Sequence, residues 1–172
     1  MEIRAASSDD AEAIAAIYGH HVLHGTASYD LQPPSVRDTL AKIRRILGSG
    51  WPFIISEQGG QVVGYAYATQ YRDREAYSWT CENSIYIHPD WQGRGIGKAL
   101  LSALCLGAEG FGFRQMIAVI GGAEPASIAL HAACGFEEVG RLQSAGWKHG
   151  RWLDNVYMQM ALGKGSSEPP AT

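Results

Sequence analysis

The chain has little cysteine, little charge and no long apolar run. Its three cysteines, Cys81, Cys105 and Cys134, are widely spaced and form no C-x-x-C pair. That pattern argues against a disulfide framework or a zinc site, so reduced, packed thiols are expected, Cys134 included. No stretch approaches the ~20 apolar residues that cross a bilayer. The first residues, Met1-Glu2-Ile3-Arg4, lack the apolar centre of a secretory signal, and a cytoplasmic location away from membranes is expected. Lys and Arg number 14 against 17 Asp and Glu, a net charge of −3. With no basic stripe, nucleic acid is not an expected partner.

What is present suits one ordinary folded domain. At 172 residues with 46% apolar and 18% charged content, the chain is long enough for a continuous core. The domain is expected over residues 1–162. Residues 163–172, with Ser166, Ser167, Pro169 and Pro170, are expected to form a disordered tail.

Periodicity and turn residues give a coarse order of elements. Ile3–Ala6 reads as a strand, and Ser7 or Ser8 caps a helix with Ile14, Ile17, Tyr18 and Val22 on one face. A second helix spans Val36–Leu47. Trp51–Ser56 and Val62–Tyr67 flank Gly59-Gly60 as a hairpin, and a long strand is expected over Tyr77–Ile87. A helix ending near Gly110 to Gly112 follows, then a strand at Met116–Ile120 and a helix at Ala126–Cys134 opened by Pro125. Strands at Phe136–Leu142 and Trp152–Leu162 complete an α/β domain with a mixed sheet.

Between the Ser84-Ile85-Tyr86-Ile87 strand and the next helix stands Gln92-Gly93-Arg94-Gly95-Ile96-Gly97-Lys98. Glycines let the backbone curl, and the first free N–H groups of a helix point at an anion. Arg94 and Lys98 add positive charge, so a diphosphate ligand is the natural reading. A dinucleotide fingerprint fails because Lys98 stands where its last glycine belongs. A P-loop fails at Gln92 and Ala99. The surviving pattern is Q-x-x-G-x-G on a strand-to-helix turn.

Four further features bear on chemistry. Glu82 lies in a mostly apolar strand, where a carboxylate is costly unless paired or used; it is either a general base or a partner for Arg72 or Arg74. His131, on the Pro125 helix, titrates in the range of a proton donor or base, or is a satisfied structural histidine. Arg72 and Arg74 bracket Asp73 and suit a carboxylate-bearing ligand, or form a solvated loop. His20, His21 and His24 lack acidic or cysteine partners, so surface or loop-facing positions are expected and no metal is assigned.

The glycine loop with its flanks resembles the acetyl-coenzyme A pyrophosphate loop of the GCN5-related N-acetyltransferases (GNAT). Tyr77–Ile87, Ala118–Gly121, Ser127–His131 and Gly146–Asp154 are similar to segments of the phosphinothricin and methionine sulfoximine N-acetyltransferase subfamily. The resemblance reaches from the start of the chain to about Leu162. It implies a GNAT fold: a mostly antiparallel sheet flanked by helices, with two strands splayed in a V at the acetyl-CoA site. It implies a detoxifying N-acetyltransferase acting on the α-amino group of a small amino-acid-like substrate, methionine sulfoximine or sulfone before phosphinothricin, and a homodimer. The backbone of Ile85, Tyr86 and Ile87 would hold the pantetheine arm and acetyl group. Residues Gln92, Gly93, Arg94, Gly95, Ile96, Gly97 and Lys98, with Ser127, would complete the cofactor site. Glu82 would be the base, and His131 would stand where many relatives place a tyrosine facing the thioester sulfur. Tyr29, Arg72, Arg74 and Tyr77 would bind the acceptor. Relatives commonly carry Asn where Glu124 stands here; a side chain turned outward to cap the Pro125 helix is expected. Acetylation of another amine, a polyamine or a protein N-terminus, and a non-catalytic coenzyme A-binding module are the rival readings.

Overall fold

Local chemistry explains where the elements begin and end. A computed structural model describes residues 1–170. Strand β1 (Glu2–Ala5) leads into a short 3₁₀ turn at Ser8–Asp10, where Ser7 and Asp10 form a reciprocal capping box. Helix α1 (Ala11–His24) follows, and helix α2 (Val36–Gly48) opens on a second such box between Ser35 and Asp38. The hairpin β2 (Phe53–Gln58) and β3 (Gln61–Gln70) turns at Gly59 and Gly60, whose φ values of +59° and +80° only glycine adopts easily. Then come β4 (Thr80–Ile87), α3 (Ile96–Phe111), β5 (Gln115–Gly121), α4 (Pro125–Ala133), β6 (Glu137–Lys148) and β7 (Arg151–Ala161).

The seven strands form one sheet in the order β1-β2-β3-β4-β5-β7-β6. Every pairing is antiparallel except β4 with β5, so the sheet is mixed and mostly antiparallel, as expected. Alternation along the strands divides two cores. Tyr65 and Tyr67 pack with Ile14, Ile17, Ile43 and Ile46 of α1 and α2. Ala66 and Ala68 join Leu100, Leu101 and Leu104 of α3 on the other face.

The feature that positions the site is an interruption. Strand β4 runs beside β5 only from Thr80 to Asn83, ending at the pair Asn83–Ala118. Both strands then continue, to Ile87 and Gly121, without pairing. This is the V-shaped splay, and it leaves one edge of Ser84–Ile87 open.

Three boundaries differ from expectation. The β4 strand begins at Thr80 and not Tyr77, because Glu75–Tyr77 closes a 3₁₀ turn capped back by Ser78. Strand β6 continues past Leu142 to Lys148 through a register shift between Leu142 and Gly146; it is mostly exposed, so no apolar alternation marked it. The segment after Leu162, expected to be disordered, is tied down: Arg114 donates to the carbonyls of Gly165 (2.9 Å) and Glu168 (3.1 Å). Residues 171 and 172, the end of that tail, lie outside the described residues. Among the described residues no helix is long and apolar enough to cross a membrane, and no cluster of three acidic, His or Cys side chains is placed to hold a metal.

Candidate active site at the fork of the sheet

Two hollows meet at the fork. The larger, of about 560 Å³, runs between α1, the open edge of β4 and the N-termini of α3 and α4. The smaller, of about 270 Å³, lies against Tyr18, Asp30, Glu82 and His131. Ala27, Ile85, Tyr86 and Ser127 line both.

The larger cleft carries the glycine loop. Gly93 and Gly95 have φ of +72° and +80°, and Gly95 is the N-cap of α3. The first helical hydrogen bond is donated by Ala99 to Gly95. The N–H groups of Ile96, Gly97 and Lys98 therefore face the cleft mouth with no partner inside the helix, ready for an anion. Gln92, Gly93, Gly95, Ile96, Gly97 and Lys98 all line the cleft. Arg94 does not; its guanidinium lies over the Trp91 ring, 4.7 Å from the centroid.

Strand geometry identifies the free backbone groups of β4. His88 N–H donates to Val63 of β3, so even-numbered residues here face β3. Ile85 and Ile87 consequently direct N–H and C=O into the fork. The Ile87 carbonyl is met at 2.8 Å by His21 Nε2, which must donate because a carbonyl only accepts. Burial pulls the His21 titration below its ordinary value, which favours the neutral ring. His20 and His24 line the same cleft, their rings 4.8 Å apart. The histidines of α1, expected at the surface, thus form one wall of the site; the 66-residue separation of His21 from Ile87 hid this from the sequence.

Glu124 also departs from expectation. It occupies the N-cap position of α4 but makes no capping hydrogen bond, and it lines the cleft. With Pro125 at the first helical position, the N–H groups of Ala126 and Ser127 are the donors a capping side chain would meet, and the Glu124 carboxylate accepts from neither.

In the smaller cavity, Glu82 is mostly buried, and burial raises its carboxyl above the ordinary range while the Arg72 charge acts in the opposite direction. Tyr18 donates to Asp30 Oδ2 at 2.7 Å and lies 2.7 Å from the Ser28 hydroxyl. Tyr29 reaches the Asp154 carbonyl at 3.2 Å. Gly146 packs against that ring so closely that any Cβ would overlap it. Tyr29 thus lines the cavity, and Tyr18, Asp30 and Asn83 join it without having been anticipated. Arg72, Arg74 and Tyr77 do not line it. They sit on the exposed segment past the end of β3, where Arg72 stacks on the Tyr71 ring at 4.4 Å. Cys81 is fully buried, and burial raises its thiol far above the range in which a thiolate forms.

The chain matches the acetyltransferase (GNAT) family over residues 18–136. It is 46% identical over 169 residues to a phosphinothricin N-acetyltransferase of Alcaligenes faecalis, covering 98% of this chain and 86% of that one. An L-methionine sulfoximine/L-methionine sulfone acetyltransferase of Salmonella typhimurium is 39% identical over 164 residues, covering 94% and 95%. Among solved structures, a GNAT superfamily phosphinothricin acetyltransferase from Sinorhizobium meliloti in complex with AcCoA superposes with a TM-score of 0.97 at 47% identity, covering 99% of this chain and 92% of that chain. A forked sheet, an anion-binding helix start and full-length similarity agree: this chain belongs to the GNAT acetyltransferase family.

Proposed function

We propose that this protein is an acetyl-CoA-dependent N-acetyltransferase acting on the α-amino group of a small amino-acid-like acceptor of the methionine sulfoximine, methionine sulfone or phosphinothricin type. The observation that carries the reading is the junction at Ile85 and Tyr86. A long cleft with a diphosphate-binding start and a small cavity with a buried carboxylate share that wall. The names borne by full-length relatives supply the acceptor class.

Acetyl-CoA fits the residues present. The N–H groups at the start of α3 suit its pyrophosphate, and the open edge of Ile85 and Ile87 suits the amide-bearing arm. When bound it supplies an activated acyl thioester. The protein's own part is positional and electrostatic. Glu82 accepts a proton from the acceptor's ammonium, directly or through water, so that a neutral amine can attack. Backbone N–H groups at the fork steady the developing oxyanion. Arg72 lies outside the cavity but close enough to bias the Glu82 carboxyl, and its guanidinium suits the acceptor's carboxylate. No covalent acetyl-enzyme is needed, so the Cys81→Ala and Cys134→Ala variants keep their turnover.

Following thiol release over a panel of amines tests the assignment. Methionine sulfoximine, methionine sulfone and phosphinothricin are expected to be turned over far better than polyamines. Coenzyme A binding with no turnover on any amine would instead mark a non-catalytic module.

The protein is also read as a homodimer. Strand β6 is a sheet edge, and Trp147 and Trp152, 57% and 62% exposed, form an edge-to-face pair there with rings 5.3 Å apart. Exposed aromatics on the hairpin that forms a sheet edge favour a partner surface. Sedimentation of the Trp147→Ser, Trp152→Ser double variant is expected to give a monomer where the parent gives a dimer.

A further inference from the structure

His131 has no free ring nitrogen. Its Nδ1 lies 2.8 Å from the Ser127 carbonyl and its Nε2 lies 3.1 Å from Asn83 Oδ1. A carbonyl cannot donate, so Nδ1 carries a proton and gives it to Ser127. In a neutral ring Nε2 is then a bare acceptor facing an amide oxygen. Two arrangements relieve the clash. In one, the ring is protonated on both nitrogens: Nε2 donates to Asn83 Oδ1, and Asn83 Nδ2 keeps its 3.5 Å contact with the Ile117 carbonyl. In the other, the amide turns over and donates to the bare Nε2, and its oxygen is set against the Ile117 carbonyl. His131 is 2% exposed and Asn83 is 6% exposed, so neither arrangement is levelled by bulk water.

The position of Asn83 gives this exchange its meaning. It is the last residue of β4 paired with β5, so its side chain stands at the vertex of the fork. Ser127, which holds the other ring nitrogen, lines both hollows. We infer that Asn83 is a positioning residue for acetyl transfer: it fixes the His131 ring between the vertex of the fork and the first turn of α4, and its amide orientation determines whether that ring carries one proton or two. This rests on reading the fork as the acetyl-transfer site. Burial holds the His131 titration below its ordinary value, with the Ser127 carbonyl acting in the opposite direction. Glu82 and Asp30 are the charged groups of the shared cavity. The elements packed on α4 bring Lys98, Cys105 and Glu109 on α3, and Arg151, Asp154 and Tyr157 on β7; β5 brings none. Phe136 packs edge-on against the ring at 5.0 Å.

The test is a ¹⁵N NMR titration of the histidine rings in the full-length protein, with the His131 signals identified by their loss in His131→Gln. Asn83→Asp places an anion at Nε2 and is expected to raise the His131 midpoint by about 1–3 units. Asn83→Leu removes the acceptor and is expected to lower it. The pH profile of kcat/KM for the amine is expected to move with the midpoint, while the KM for acetyl-CoA stays near that of the parent. Should Asn83→Leu fail to fold, Asn83→Ser removes the amide and keeps a small polar group. A midpoint unchanged in the folded variants overturns the proposal, and so does a midpoint that moves without the kcat/KM profile. The titration needs no turnover, so its failure is distinct from an absence of thiol release.

Discussion

Replacing Glu82 with Gln is expected to lower kcat by about 10²–10⁴-fold, the contribution of a positioned proton acceptor. The substitution keeps shape and hydrogen-bonding capacity, and it removes only the charge that takes the ammonium proton. Glu82 lines the small cavity and not the larger cleft, so the KM for acetyl-CoA should change little. The pH dependence supplies a second reading. The working form is the carboxylate, and burial raises its pKa. Activity therefore falls as pH drops through a value above the ordinary carboxylate range, and this acid limb disappears in the Gln variant. Arg72 holds the pKa down, so Arg72→Gln should move the limb to higher pH. A Glu82→Gln enzyme with kcat within about tenfold of the parent would remove Glu82 from the role of base.

Truncating Leu104 to Ala is expected to destabilise the fold by about 2–5 kcal/mol. Leu104 is fully buried on α3 and belongs to the core that also holds Ala66, Ala68 and Met116. Leu100, Leu101 and Ala108 of the same helix are buried around it and hold the helix against the sheet, so the cavity left by the truncation cannot easily close. In a domain of this size each kcal/mol lowers Tm by roughly 2–4 °C. Leu106, two residues on and 71% exposed, is the control: Leu106→Ala should stay within about 0.5 kcal/mol of the parent. Donor added at about 100 times its Kd should return about 2.7 kcal/mol to either variant, because it binds only the folded form. Denaturant melts with and without acetyl-CoA measure all of these; equal losses at Leu104 and Leu106 would contradict the packing described.

The donor half of the site was far more legible in the sequence than the acceptor half, for a physical reason. An anion site at a helix start is local: Gly93, Gly95 and the helix beginning at Ile96 are neighbours in the chain, and the donors it offers are backbone N–H groups. Glu82 was also legible, because a carboxylate among apolar strand residues needs a purpose. Tyr18, Asp30 and Asn83 were not, since each reaches the cavity through packing of distant segments and each is an ordinary residue in its own surroundings. The same holds for His21, which meets Ile87 only because α1 lies across the fork. Arg72 and Arg74 illustrate the converse. Their charge drew attention to a loop that, in the single chain, stays outside the cavity. In the fold, β6 was cut short because a solvated strand leaves no periodic trace.

The interruption between β4 and β5 also bears on how such a protein can change over time. Under the proposed function the donor meets main-chain N–H and C=O groups at Ile85 and Ile87, and an N–H is supplied by every residue type but proline. An amide-bearing arm laid along that edge joins the sheet much as an added strand would. Donor identity is therefore written in the course of the backbone and tolerates drift in side chains. Acceptor identity is written in individual side chains around Glu82, with the cavity wall built from separate segments. Substitutions there can retarget the amine while the acyl source stays fixed, so a single scaffold can yield enzymes for many small molecules that all draw on the same donor.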